Sequence, residues 1–335
     1  MRKESDTIPW IEKYRPKTLD DVISHKHIVP ILKNFVENKC IPHLLFYGPP
    51  GTGKTSAIMA SARELYKENF PVMVLEINAS EERGIDVVRT RINTFVTSKN
   101  VFYGDDYKNI FKLVILDEAD AMTDDAQAIL RRVIEKYTEN ARFCLICNYI
   151  KKISPALQSR CTCFRFAPLE ADQIKNKMLT IIQKENINIT PDAINIIIKR
   201  SNGDMRRVLN ILQTTNMSYD VVDEDAINSC LGYPQKEFID NIVKHLVTKS
   251  FEQTYKLIDE YRKEHGFSLM DIINEVYGII LNNIINNTNN IYFKQVDEKK
   301  LIIILDRLRD IEYNLSVCTS ELIQTSAFIG IFKHL

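Results

Sequence analysis

The 335-residue sequence has no excess of either charge, because 44 Lys and Arg meet 44 Asp and Glu. That balance excludes a highly basic nucleic-acid coat and an acidic disordered tail, but it still allows a segregated basic face. No run approaches the ~18–20 consecutive apolar residues that a membrane helix needs, so no membrane partner is expected. Residues 1–6 have no apolar segment behind them and read as no secretory signal. The seven cysteines are odd in number and irregularly spaced. They form no disulfide framework and point to a reducing compartment. Tryptophan occurs once, at Trp10, next to residues 12–16, where packing is expected rather than base stacking. What remains is an ordinary globular composition, 45% hydrophobic and 26% charged, with length for about two to three domains.

Five short apolar runs punctuate the first half: 43–47, 72–77, 113–116, 143–147 and 162–166. Each is rich in Val, Ile, Leu or Phe and stops at a turn or polar residue, the pattern of a buried strand. Helical stretches at 55–66, 86–96 and 124–137 separate them, so the expectation is an α/β fold with a parallel sheet covered on both faces. After Pro168 only helical patterns follow. Pro191-Asp192 reads as a helix start, Asp204 as the cap of another helix, and Gly232-Tyr233-Pro234 as a break. The predicted domains are therefore 1–167, 168–231 and 232–335. The last sixty residues are unusually apolar for surface helices, which a face buried against other chains would explain. The Asn-rich patch at 282–290 reads as a loop between helices.

Gly48-Pro49-Pro50-Gly51-Thr52-Gly53-Lys54-Thr55, continued by Ser56, fits the phosphate-loop pattern G-x-x-x-x-G-K-[ST] between a strand and a helix. Its glycines let backbone N–H groups close around a phosphate at a helix N-terminus. Lys54 then offers charge to the β and γ oxygens of ATP, and Thr55 offers a hydroxyl to Mg²⁺. Asp117 ends an apolar strand beside that loop as a carboxylate for the Mg²⁺ shell, and Glu118 is placed to orient or deprotonate water. Asn148 ends the strand expected next to it and suits a contact to the γ-phosphate. The N-K-x-D signature of guanine-specific enzymes is absent, since Asn176-Lys177-Met178-Leu179 lacks its Asp. The tandem Asp117-Glu118 favours ATP hydrolysis over small-molecule phosphorylation.

Two arginines extend the site. Arg160, in Ser159-Arg160-Cys161, lies at the domain edge and would reach a neighbour's nucleotide. Arg206, in Gly203-Asp204-Met205-Arg206-Arg207, starts a helix that can fold back over its own. Cys144, Cys147, Cys161 and Cys163 imitate a zinc spacing. Strand alternation sends Cys144 and Cys147 to opposite faces, so they read as small apolar core residues instead.

Together with residues 9–19 and 78–86, these motifs resemble the AAA+ ATPases, and more narrowly the small subunits of replication factor C, in family order from residue 9 to about 215. The resemblance implies an AAA+ ATPase domain, a small helical lid and an all-helical collar that oligomerises. It implies that Asn148 and Arg206 are sensors, that Arg160 acts in trans, and that Tyr14-Arg15-Pro16 wraps near the adenine. The implied partners are the other subunits of a heteropentamer, the sliding clamp PCNA and primer–template DNA, in the nucleus. DNA would be held through phosphates without sequence preference, with Arg89, Arg83 and Thr123 as the candidate contacts. The alternatives are another AAA+ DNA machine, either an initiator or a branch-migration motor, and an ATP-binding scaffold that donates Arg160.

Overall fold

Five strands form one sheet in the order β2-β3-β4-β1-β5, with every neighbouring pair parallel. They are β1 (Leu44–Tyr47), β2 (Val74–Asn78), β3 (Lys112–Asp117), β4 (Ala141–Cys147) and β5 (Thr162–Arg165). The computed structural model describes residues 8–23, 27–81, 88–98, 111–286, 293, 297–317 and 320–333. The three central strands are buried almost throughout. This is what continuous apolar runs achieve when helices cover both faces of a parallel sheet.

The helices before and between the strands are α1 (Trp10–Lys13), α2 (Ile28–Glu37), α3 (Lys54–Tyr66), α4 (Phe70–Met73), α5 (Asn93–Thr97), α6 (Asp124–Lys136) and α7 (Pro155–Gln158). One core cluster joins α2 and α3 to one face of the sheet through Leu32, Phe46, Ile58 and Ile115. The other joins α6 to the opposite face through Leu130, Ile134, Val114 and Leu145. Cys144 lies in the first cluster and Cys147 in the second, so the two thiols face opposite layers, as strand alternation requires.

Three readings change. β5 is not a buried strand: Thr162, Cys163 and Arg165 are exposed, because β5 pairs only with β1 at the sheet edge. Cys163 is accordingly not a core residue. Val72 and Met73, expected to begin a strand, end α4 instead, where Pro71 sits in the first helical turn and presets its backbone. Asn282, Asn283 and Asn286 belong to a helix rather than a loop.

After β5 the chain is helical: α8 (Ala171–Glu185), α9 (Pro191–Ser201), α10 (Met205–Ser218), α11 (Glu224–Leu231), α12 (Lys236–Thr248), α13 (Phe251–His265), α14 (Leu269–Asn286), α15 (Glu298–Val317) and α16 (Glu321–Lys333). Caps follow the sequence signals. The Thr190 side chain accepts from Ala193 N–H ahead of Pro191, and Gly232 ends α11 at φ 68°. The chain divides into two compact units, Met1–Gln213 and Thr214–Leu335. In the second, Ile242, Ile272, Val276, Ile304 and Phe328 are among the residues of a continuous core. Ile302, Ile303, Val317, Leu322 and Ile323 remain exposed there. Among the described residues no helix is long and apolar enough to cross a membrane.

Candidate active site

The C-terminal ends of parallel strands are where open α/β sheets bind ligands. Here β1, β4 and β3 are adjacent, so the loop after β1, Asn148 after β4 and Asp117 at the tip of β3 converge. They line a cavity of about 370 Å³ together with Tyr14, Arg15 and Pro16, with Glu118, and with Met205, Arg206 and Leu209 of α10. Thus the phosphate loop, both acids, the first sensor candidate, the second and the N-terminal segment share one pocket within the first unit. Arg160 is not among its lining residues.

The loop needs its glycines. At Gly48, with φ 145°, a Cβ would lie 2.0 Å from the Phe166 carbonyl oxygen. At Gly51, with φ 67°, it would lie 1.6 Å from Asp204 Oδ1. Gly53 adopts φ 91° and starts α3, whose first residues are Lys54 and Thr55. Lys54 is only 7% exposed. Its Nζ donates to the carbonyl oxygens of Gly48 and Pro49, both at 2.8 Å, and to Asn148 Oδ1 at 3.1 Å. Burial lowers its pKa, while the Asp117 carboxylate opposes that shift. The Thr55 hydroxyl donates to Asp117 Oδ2 at 2.7 Å, and Asp117 Oδ1 accepts the Glu118 N–H at 2.9 Å. Glu118 is exposed at φ 53°. A left-handed backbone at a non-glycine residue is a cost that clusters at functional sites.

The start of α10 binds directly to the loop, and the turn before it to the segment after β5. Met205 N–H donates to the Gly51 carbonyl at 3.2 Å, and Leu169 N–H to the Gly203 carbonyl at 3.2 Å. Asp204 Oδ1 accepts from Arg206 N–H at 2.7 Å, capping α10. Arg206 therefore enters the cavity from the first turn of a capped helix. The Asp204–Gly51 approach had no sequence signal beyond the cap itself.

Arg160 stands outside, beyond α7. It forms an ion pair with Glu135 of α6, and its guanidinium donates to the Ala156 carbonyl at 2.6 Å. Thr123 caps α6, its hydroxyl accepting from Ala126 N–H. Arg83 lies outside the described residues. Arg89 falls in the π-helical turn Val88–Ile92, with its side chain outside the description. Burial pushes the Cys147 and Cys161 thiols up to about 12.

Residues 44–169 match the ATPase family associated with various cellular activities, 171–229 the RFC1-like AAA+ ATPase lid domain, and 234–330 the replication factor C C-terminal domain. The sequence is 49% identical to mouse replication factor C subunit 5 and 47% identical to the human subunit 5. Each alignment covers 97% of this chain and 92% of the relative. The chain belongs to the replication factor C subunits. Saccharomyces cerevisiae replication factor C subunit 3 is 42% identical over 99% of this chain and 95% of its own. The relatives are named subunit 5 in mouse and human and subunit 3 in yeast. Members of this family are components of a multi-subunit clamp loader, and the chain carries its nucleotide-binding AAA ATPase domain. Among solved structures, the Thermotoga maritima RuvB Holliday junction branch migration motor is 18% identical, with a TM-score of 0.51 over 73% of this chain and 85% of that one. That likeness is one of fold.

Proposed function

We propose that the chain is an ATP-hydrolysing subunit of a heteropentameric clamp loader. In this reading it helps to open the PCNA ring and place it on primer–template DNA in the nucleus, during replication and repair. The observation that carries the reading is the convergence of Lys54, the Thr55–Asp117 pair, Asn148 and Arg206 on one cavity. Its three parts are the ATPase domain 1–167, the lid 168–231 and the collar 232–335.

The chemistry follows from the side chains. The loop N–H groups and the α3 N-terminus receive the triphosphate. Lys54 exchanges the Gly48 and Pro49 carbonyls for phosphate oxygens, a stronger charge-assisted pairing. Thr55 and Asp117, already 2.7 Å apart, are the hydroxyl and carboxylate that would hold Mg²⁺. Bound there, the cation would offset phosphate charge. Glu118 is exposed to accept a proton from the attacking water, and Asn148 and Arg206 hold the γ-phosphate. Arg160, at the domain edge and clear of the chain's own pocket, serves the adjacent subunit. Because those arginines discriminate ATP from ADP, they supply the differential contact a switch needs. Arg83, Arg89 and Thr123 contact DNA phosphates, independently of sequence.

The test is a comparison of Lys54→Ala with Arg160→Ala in the reconstituted complex. Lys54→Ala is expected to abolish ATP binding at this subunit, and Arg160→Ala to slow turnover at the neighbouring site. Intact turnover with Lys54→Ala, alongside crippled turnover with Arg160→Ala, would favour a scaffold role instead. A complex that assembles, holds the clamp and releases it identically without nucleotide refutes the reading.

A further inference from the structure

The segment ahead of β1 supplies Ile11, Tyr14, Arg15 and Pro16 to the cavity. Yet α1, with four residues, is far too short to hold itself in place by backbone bonds. Its position comes from tethers to α8 and α10. The Trp10 N–H donates to Gln213 Oε1 of α10 at 3.0 Å. Lys13 Nζ pairs with the Glu185 carboxylate of α8 at 2.6 Å, and the Tyr14 hydroxyl donates to that same carboxylate.

The placement of these anchors is regular. On α8, Ile181 lines the cavity and Glu185 lies one turn further on. On α10, Leu209 lines the cavity and Gln213 lies one turn further on. Each helix thus gives the pocket an apolar residue and, four positions later, a polar anchor for the N-terminal segment. Helix stability does not account for Glu185. It is the last residue of α8, where a carboxylate faces the negative end of the helix dipole. Its side chain is 18% exposed. Burial alone would raise its pKa, but the hydrogen bonds from Lys13 and Tyr14 hold it below the usual range. Burial and the same hydrogen bond raise the Tyr14 hydroxyl, which stays a proton donor. The phosphate loop lines the same cavity and takes the phosphates, so the wall formed by α1, Ile181 and Leu209 is the one left to a base and sugar.

We propose that Glu185 is a positioning residue for the nucleobase side of the pocket, holding Tyr14 and Lys13 so that the N-terminal segment closes the apolar wall against α8 and α10. This rests on the cavity being a nucleotide site. Glu185 touches no nucleotide itself and acts through Tyr14.

The experiment measures ATP, ADP and inorganic tripolyphosphate binding to the full chain by calorimetry and competition. Glu185→Ala is expected to weaken ATP and ADP equally, each by about 3–10-fold, and to leave tripolyphosphate, which uses only the phosphate loop, within about twofold. Glu185→Gln keeps an acceptor for Tyr14 and is expected to lose less. Tyr14→Phe, which deletes one hydroxyl and keeps the ring, is expected to weaken both nucleotides in the same ratio as each other. Tripolyphosphate binding that falls along with ATP would reveal general damage and overturn the proposal. Loss of ATP without ADP, or no loss at all, overturns it too. A wild-type chain that binds none of the three overturns the nucleotide-site reading itself, whereas normal wild-type binding with an unaffected Glu185→Ala variant overturns this inference alone.

Discussion

Replacing Asp204 with Ala tests whether one side chain caps α10 where that helix meets the phosphate loop. Asp204 Oδ1 accepts from Arg206 N–H at 2.7 Å and from Arg207 N–H at 3.3 Å. Loss of such an N-cap costs about 1 kcal/mol, within a range of about 0.5–2. For a unit spanning Met1–Gln213, that is a fall in Tm of about 2–4 °C per kcal/mol. The same turn carries Arg206 into the cavity, so fraying it weakens ATP by about fivefold if the full ~1 kcal/mol is felt there. ADP, which lacks the γ-phosphate, is expected to change little. Asp204→Asn supplies an equivalent cap and is expected to restore both Tm and ATP affinity. Gly51 adds a second arm. Gly51→Ala pays about 1–2 kcal/mol for a left-handed backbone, plus a collision with Asp204 at 1.6 Å. In the Asp204→Ala background the carboxylate atoms nearest that Cβ are removed, so the double variant is expected to lose less than the sum of the singles. Thermal unfolding and calorimetric titration with ATP and ADP read all four variants. Additive losses, or an Asp204→Asn variant as weak as Asp204→Ala, would refute the reasoning.

Three further outcomes follow from other contacts. His43 is held at about 4, against an ordinary 6.5, by burial and then by the Arg142 charge. The unfolded chain therefore binds the extra proton first: His43 contributes stability above about pH 6.5 that is lost as pH falls towards 4. His43→Gln is expected to flatten the acid limb of a pH–Tm profile over that window, and an unchanged slope counts against it. Glu135 pairs with Arg160, and an exposed pair is worth about 0.2–1 kcal/mol. In the assembled complex Glu135→Ala is expected to release Arg160 and tighten ATP at the neighbouring site by about 1.4–5-fold, an effect that disappears when Arg160→Ala is added. Leu322 and Ile323 are 60% and 65% exposed. The double substitution Leu322→Ser/Ile323→Ser is expected to leave the Tm of the isolated chain within about 2 °C while reducing its incorporation into the complex, measured by native mass spectrometry. A Tm drop equal to a core lesion would mean these residues pack within the chain.

Local chemistry made much of the molecule legible. The phosphate loop, the Asp117-Glu118 pair and Asn148 each follow an apolar strand, so parallel pairing alone brings their tips together. Where the reading failed, a neighbour in the sheet or in the chain decided the outcome. β5 has the composition of a buried strand, but its position at the edge of the sheet leaves Thr162, Cys163 and Arg165 exposed. Val72 is apolar and β-branched, but the preceding Pro71 commits the turn to helix. The anchors of the N-terminal segment lie furthest from view. Tyr14 and Glu185 are 171 positions apart, and Trp10 and Gln213 are 203 apart. A glutamate in the last turn of a helix resembles any solvated surface acid until its partners are known. Its unfavourable placement against the helix dipole was the one local sign, and it is meaningful only because two donors from a distant segment meet there. A residue set against the preference of its own element is therefore the place to look for a long-range tether, and Glu185 is such a residue on the nucleotide side of this fold.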